Sequence, residues 1–147
     1  MSIFRKAYSV FGALLMLQFF LQLYFIAGAI FTIVNANDNS KDIYAAFKNA
    51  DSFAIPHVIN GYLIGINLLI MVALSFASRY PWRTTIMTAV MVVLVFLQSI
   101  LAHTPFAALS ALHGINALIL IGLGGYLTGR TWAFRPGASE AAVPLKT

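Results

Sequence analysis

The chain has 147 residues, 61% of them hydrophobic and only 9% charged, with a mean hydropathy of +0.87. Soluble domains carry about 25% charged residues, so an ordinary soluble protein is excluded and an integral membrane protein is indicated. Cysteine is absent, which removes disulfides, thiolate metal sites and thiol nucleophiles. The formal charge of +5 is placed, as described below, in a way that signals membrane topology and not nucleic-acid binding.

Four apolar runs reach the roughly 20 residues that a helix needs to cross a hydrocarbon core about 30 Å thick. They cover 8–34, 54–78, 84–102 and 106–128. The reading is one all-α transmembrane domain over 1–147, an integral membrane four-helix bundle running up-down-up-down. The first run resembles a secretory signal ending at Ala27-Gly28-Ala29, but signal cores span about 7 to 15 residues, so it is taken as a span. Residues 35–53 break the apolar pattern with Asn35, Asn37, Asp38, Asn39, Ser40, Asp42 and Asp51. They read as an outer loop, within which 43–47 forms a short amphipathic helix at the interface. Asp51 or Ser52 is expected to cap the second helix, with Pro56 in its first turn. Arg79-Tyr80-Pro81-Trp82-Arg83 is a tight turn, with Pro81 opening the third helix and the two aromatic residues in an interfacial belt. Only His103-Thr104-Pro105 separates the third and fourth helices, so Thr104 is expected to cap and Pro105 to begin the fourth. Residues 131–147 form a polar tail with Pro136, Gly137 and Pro144, expected to be mobile.

Arg5, Lys6, Arg79, Arg83, Arg130, Arg135 and Lys146 fall on one side of this topology. Lys41 and Lys48 lie on the other, offset by Asp38, Asp42 and Asp51. The positive-inside rule then places both termini and the 79–83 turn in the cytoplasm of a multi-pass cell-membrane protein, and His57, His103 and His113 near the outer leaflet.

The chain also carries an internal echo. Phe20-Leu21-Gln22 in the first span recurs as Phe96-Leu97-Gln98 in the third, and His57-x-x-Asn60-Gly61 in the second recurs as His113-x-x-Asn116-Ala117 in the fourth. Two helical hairpins in parallel repeat would produce this pattern. In such a bundle the second and fourth helices lie on a diagonal, which would turn two polar faces toward each other. One carries His57, Asn60, Gly61, Ile64, Asn67, Leu68 and Met71; the other carries His113, Asn116, Ala117, Leu120 and Gly124. Polar groups are expensive in hydrocarbon, so both faces are expected to point inward.

Two facing imidazoles suit the iron of a haem, six-coordinate and low-spin. Gly61, Gly65, Ala117 and Gly124 leave room for a flat ring. The plainer reading makes His57 and His113 polar glue between helices. A zinc or copper site would need His103 as a third ligand and lacks a carboxylate or thiolate in the spans. A chlorin pigment is a further alternative, since a single imidazole can ligate its magnesium. His103 itself reads as a wetted residue at a turn, or as a propionate partner or alternative ligand. Gln18, Gln22 and Gln98 supply interhelical hydrogen bonds or contacts to a cofactor edge. Met87 and Met91 read as packing.

Leu97-Gln98 late in one helix, followed by a turn and by Leu112-His113 opening the next with Ala117 behind it, resembles the haem A synthase family. Gln18 to Gln22 followed by Gly28, and Pro56-His57 to Gly61, resemble the first and second helices of one four-helix half of that family. The stretch is also similar to small bacterial four-helix membrane proteins that share the first-helix glutamine, the second-helix histidine and Leu-His-x-x-Asn-Ala. The resemblance covers most of residues 10–128. It implies a haem-binding half-bundle with His57 and His113 as paired axial ligands. It does not carry the synthase activity: the family joins two bundles and has a carboxylate beside its second-helix histidine, where Ile55 and Pro56 stand here. Arginine commonly follows that histidine in the family, whereas this chain has Val58.

The expected function is therefore a cytochrome-like membrane protein holding haem b through His57 and His113, serving electron transfer or acting as the haem subunit of a larger complex. Asn60, Gly61, Asn116, Ala117, Gln22, Gln98 and His103 would surround the cofactor. The alternatives are a cofactor-free structural or assembly subunit and a chlorin-binding subunit. Catalysis by this chain alone is not expected. Beyond the lipid bilayer, the expected partner is another membrane protein or a second copy, met at Ala27-Gly28-Ala29 or Gly122-Leu123-Gly124-Gly125.

Overall fold

The computed structural model describes residues 3–39 and 41–134. The fold is all-α, with four helices in chain order: α1 (Ile3–Asp38), α2 (Ile43–Ala77), α3 (Trp82–Ala102) and α4 (Ala107–Arg130). All four are long and apolar enough to cross a membrane. At 1.5 Å rise per residue, α1 with 36 residues and α2 with 35 are about 54 and 52 Å long, well beyond a hydrocarbon core of roughly 30 Å. The chain divides into two compact units, and the division crosses α1 and α2.

Unit 2 (Leu17–Gly65) is a helical hairpin made from the later part of α1 and the first part of α2. Its turn corrects the expectation of a long outer loop, because α2 starts at Ile43 and absorbs most of 35–53. Asp42 is the cap: its Oδ1 accepts hydrogen bonds from the amides of Tyr44 (2.9 Å) and Ala45 (3.3 Å), while its carbonyl takes the first helical bond from Ala46. Asp51 and Ser52 therefore lie within α2, exposed, with the Ser52 hydroxyl donating to the Asn49 carbonyl, and they cap nothing. Residues 43–47 are the opening turns of α2 and not a separate interfacial helix. Pro56 lies in the helix interior, where it cannot donate to the Ser52 carbonyl, immediately before His57. The hairpin closes on small residues, with Ala29, Ala36, Ala46 and Ala50 all buried. At Gly28 an added Cβ would stand 2.4 Å from the ring of Phe53, a close approach that only glycine permits.

Unit 1 (Met1–Met16 with Ile66–Thr147) contains the start of α1, the rest of α2, and the α3–α4 hairpin. Gly12 lets α1 approach α4: a Cβ there would stand 2.9 Å from Thr128 Oγ1. Leu15, Leu68, Met71, Met91 and Leu127 are fully buried, so Met91 packs as expected. α2 ends in a Schellman closure, with Tyr80 N donating to Ser75 O (3.1 Å) and Arg79 N to Phe76 O (3.0 Å). Arg79 takes the left-handed position, φ 52°, that glycine usually fills, at a cost of roughly 1–2 kcal/mol. α3 begins directly after Pro81, as anticipated. α4 begins at Ala107 behind Phe106, two residues later than Pro105, because the Thr104 hydroxyl sits only at 3.5 Å from Phe106 N while the Thr104 carbonyl accepts from Ser110 Oγ.

The start of the tail expected to be mobile is anchored. Thr131 is buried, its amide and hydroxyl both donate to Leu127 O, and its carbonyl accepts from Ser9 Oγ at 2.9 Å. Ala133 N in turn donates to Ser9 Oγ. Residues 135–147, with Arg135, Pro136, Gly137, Glu140, Pro144 and Lys146, lie outside the described residues.

Candidate functional site

The two His-x-x-Asn motifs build the same local structure, one in each unit. In unit 2, His57 Nδ1 is 3.3 Å from the backbone carbonyl of Gln22, and one helical turn on, Asn60 Nδ2 donates to the carbonyl of Gln18 at 2.8 Å. In unit 1, His113 Nδ1 is 3.0 Å from the carbonyl of Gln98, and Asn116 Nδ2 donates to the carbonyl of Leu94 at 2.9 Å. In each, the asparagine three residues after the histidine meets the carbonyl four residues before the glutamine. The predicted echo is thus a repeated hydrogen-bond geometry and more than a coincidence of letters.

A backbone carbonyl can only accept, so Nδ1 of each imidazole carries the proton. In the neutral ring the lone pair then falls on Nε2. Histidines that bind metals are commonly oriented in this way, by a carbonyl held on the other nitrogen. Asn60 and Asn116 are buried and both rings are half-buried. Of the faces expected to point inward, Asn60, Ile64, Asn67, Leu68 and Met71 are buried on α2 and Asn116, Leu120 and Gly124 on α4, while His57, Gly61, His113 and Ala117 are half-buried. Asn67 Nδ2 donates to Phe11 O at 3.2 Å within unit 1.

The two clamps differ at their glutamine side chains. Gln98 closes back on α4: its Nε2 donates to the His113 carbonyl at 3.0 Å and its Oε1 accepts from Asn116. Gln22 lies against α2 at Gly61, where an added Cβ would stand 3.3 Å from its Nε2, and its buried Oε1 has no hydrogen-bond partner among the described residues. Ala117, the counterpart of Gly61, is half-buried. His103 is exposed at the end of α3, with Nδ1 2.8 Å from the carbonyl of Ser99 on its own helix. Among the described residues no three His, Asp or Glu side chains gather in a group that could hold a metal ion.

One polar cluster was not foreseen. In unit 1, Tyr8, Ser9, Ser75 and Thr88 are fully buried, with Ser78, Thr84 and Thr85 nearly so. Thr88 Oγ1 donates to Thr84 O at 2.9 Å, which uses its only proton, so Tyr8 is the donor in the 2.7 Å bond between the two hydroxyls. Ser75 Oγ bonds Thr85 Oγ1 at 3.0 Å. The Tyr8 ring meets Tyr80 edge-on at 5.0 Å, and Arg5 lies over Tyr80 while its Nε donates to Ser78 O. Burial pushes the Tyr80 phenol up, opposed by the Arg5 guanidinium and by its bond to the Thr131 carbonyl. Thr84-Thr85-x-x-Thr88 at helical spacing in an apolar run was the available signal.

The model of a family of unknown function, DUF6220, matches residues 44–108, from the first turn of α2 to the first turn of α4, and includes His57, Asn60 and Gln98. No curated protein and no solved structure matches the chain. The similarity to that family is confined to this segment, which leaves His113 and Asn116 outside it.

Proposed function

We propose that this multi-pass membrane protein binds haem b, with the imidazoles of His57 and His113 as its axial ligands, and serves as an electron carrier or as the haem subunit of a larger membrane complex. The observation that carries the reading is the carbonyl bond on Nδ1 of both rings, which selects the tautomer with its lone pair on Nε2. The donor set fits the group: two neutral imidazoles satisfy a low-spin iron without any thiolate or carboxylate. Asn60 and Asn116 hold the helices that carry the rings. The resemblance to one half of the haem A synthase family belongs to this reading. So does the orientation, with Arg5, Lys6, Arg79, Arg83 and Arg130 on the cytoplasmic side of the cell membrane.

The test is the visible spectrum of the detergent-solubilised full chain, oxidised and reduced. A Soret band that disappears in His57→Ala and in His113→Ala supports the assignment. Its absence from the native chain, or its unchanged persistence in both variants, overturns it.

A second reading, a cofactor-free structural or assembly subunit, is favoured by the Gln98 carboxamide, which ties His113 and Asn116 to α3 without any ligand. Under that reading His57→Gln and His113→Gln preserve assembly and no chromophore co-purifies. A chlorin-binding subunit would instead show red absorption and keep it when either histidine alone is replaced.

A further inference from the structure

The turn joining α2 to α3 is built more expensively than its shape requires. Glycine would complete the Schellman closure without strain, yet Arg79 occupies the left-handed position. Its side chain is exposed, and so is that of Arg83 on the first turn of α3. Neither guanidinium has a hydrogen-bonding or ion-pair partner among the described residues. The other arginines of this unit that carry a contact are occupied: Arg5 bonds Ser78 O and lies over Tyr80, and Arg130 bonds Tyr126 OH and lies over its ring. No Asp or Glu occurs among the described residues of unit 1 to neutralise the pair. Between the two arginines, Trp82 is 67% exposed, its ring braced edge-on against Phe76 at 5.6 Å. Exposed Phe76 and Ile86 continue an apolar surface away from the turn.

A strained residue whose side chain returns nothing to the fold points to use elsewhere. We propose that the Arg79-Tyr80-Pro81-Trp82-Arg83 turn binds the phosphodiester of an anionic phospholipid. Arg79 and Arg83 are its phosphate contacts, Trp82 lies at the glycerol level, and Phe76 and Ile86 lie along the acyl chains. Paired guanidinium forks suit phosphate oxygens, and Trp is at home where headgroup meets hydrocarbon. The continuous apolar surface selects a lipid over a free anion. This assignment does not depend on any cofactor at the histidines.

The test is the thermal midpoint of the full chain in neutral detergent, with phosphatidylglycerol, phosphatidylcholine or inorganic phosphate added. Phosphatidylglycerol is expected to raise the midpoint by about 5 °C near saturation, and the other two to leave it unchanged. Arg79→Gly relieves the left-handed strain, so in detergent alone its midpoint rises, while the response to phosphatidylglycerol is largely lost. Those opposite movements separate lost binding from lost folding. Arg83→Gln also loses most of the response. An equal shift with phosphatidylcholine, an equal shift with inorganic phosphate, no shift with phosphatidylglycerol, or full shifts in both variants overturns the proposal.

Discussion

Replacing Asn116 with leucine should destabilise the protein more than the same change at Asn60, although the two residues stand in equivalent positions. Asn60 makes one interhelical bond, to Gln18 O, whereas Asn116 bonds both Leu94 O and the Gln98 side chain. Interhelical hydrogen bonds within membranes average about 0.6 kcal/mol and reach roughly 1.7 kcal/mol. Asn60→Leu is therefore expected to cost about 0.6–1 kcal/mol. At Asn116 the second bond is lost as well and Gln98 Oε1 is left without its donor, which adds about 1 kcal/mol for a total near 2 kcal/mol. Reversible unfolding in mixed micelles, followed by far-ultraviolet circular dichroism, gives both values. A double-mutant cycle with Gln98→Leu should return a coupling energy of about 1 kcal/mol with Asn116. Equal costs at Asn60 and Asn116, or a cycle that closes at zero, would refute the claim that Gln98 locks the α3–α4 clamp.

Gly28→Ala should destabilise by about 1–3 kcal/mol, because its Cβ would stand 2.4 Å from an aromatic ring that the hairpin packs around; Gly61→Ala, at 3.3 Å from a flexible amide end, should cost less, and micelle unfolding checks the order. Tyr8→Phe removes the donor to Thr88 in a fully buried cluster and should cost about 1–2 kcal/mol in the same assay, with the helical spectrum preserved. The Tyr80 phenol has its pKa raised on folding, so its contribution is complete below the unfolded pKa, near 10, and is lost as pH rises through the higher folded value. The thermal midpoint of the native chain should accordingly fall more steeply above pH 10 than that of Tyr80→Phe.

What the sequence revealed depended on whether the signal lay in side chains or in backbone. α3 and α4 were bounded closely because Pro81 and the Thr104-Pro105 pair interrupt otherwise unbroken apolar runs. The start of α2 was misplaced by eleven residues, from Ile43 to Ala54, because Asp51 was read as a breaker and Asp51 or Ser52 as the cap. They occupy the exposed face of a helix whose buried face, Ala46 and Ala50, is too small to register as apolar. Asp42, the true cap, was visible but was outweighed by those later polar residues. The histidine and asparagine of each clamp were legible through the repeat. Their partners were only half legible, since Gln22, Gln18, Gln98 and Leu94 accept through main-chain carbonyls, which leave no mark on residue identity. The Tyr8 cluster escaped notice because its hydroxyls are scattered through spans that average as apolar.

The carbonyl clamp on each histidine is best tested by the nitrogen-15 spectrum of the cofactor-free protein labelled at histidine, recorded at pH 8. The structure predicts a protonated Nδ1 and an unprotonated Nε2 for both His57 and His113, retained after His103 is replaced. An Nε2–H tautomer at either residue, or a rapid average of the two, would contradict the clamp and remove the support for metal ligation through Nε2.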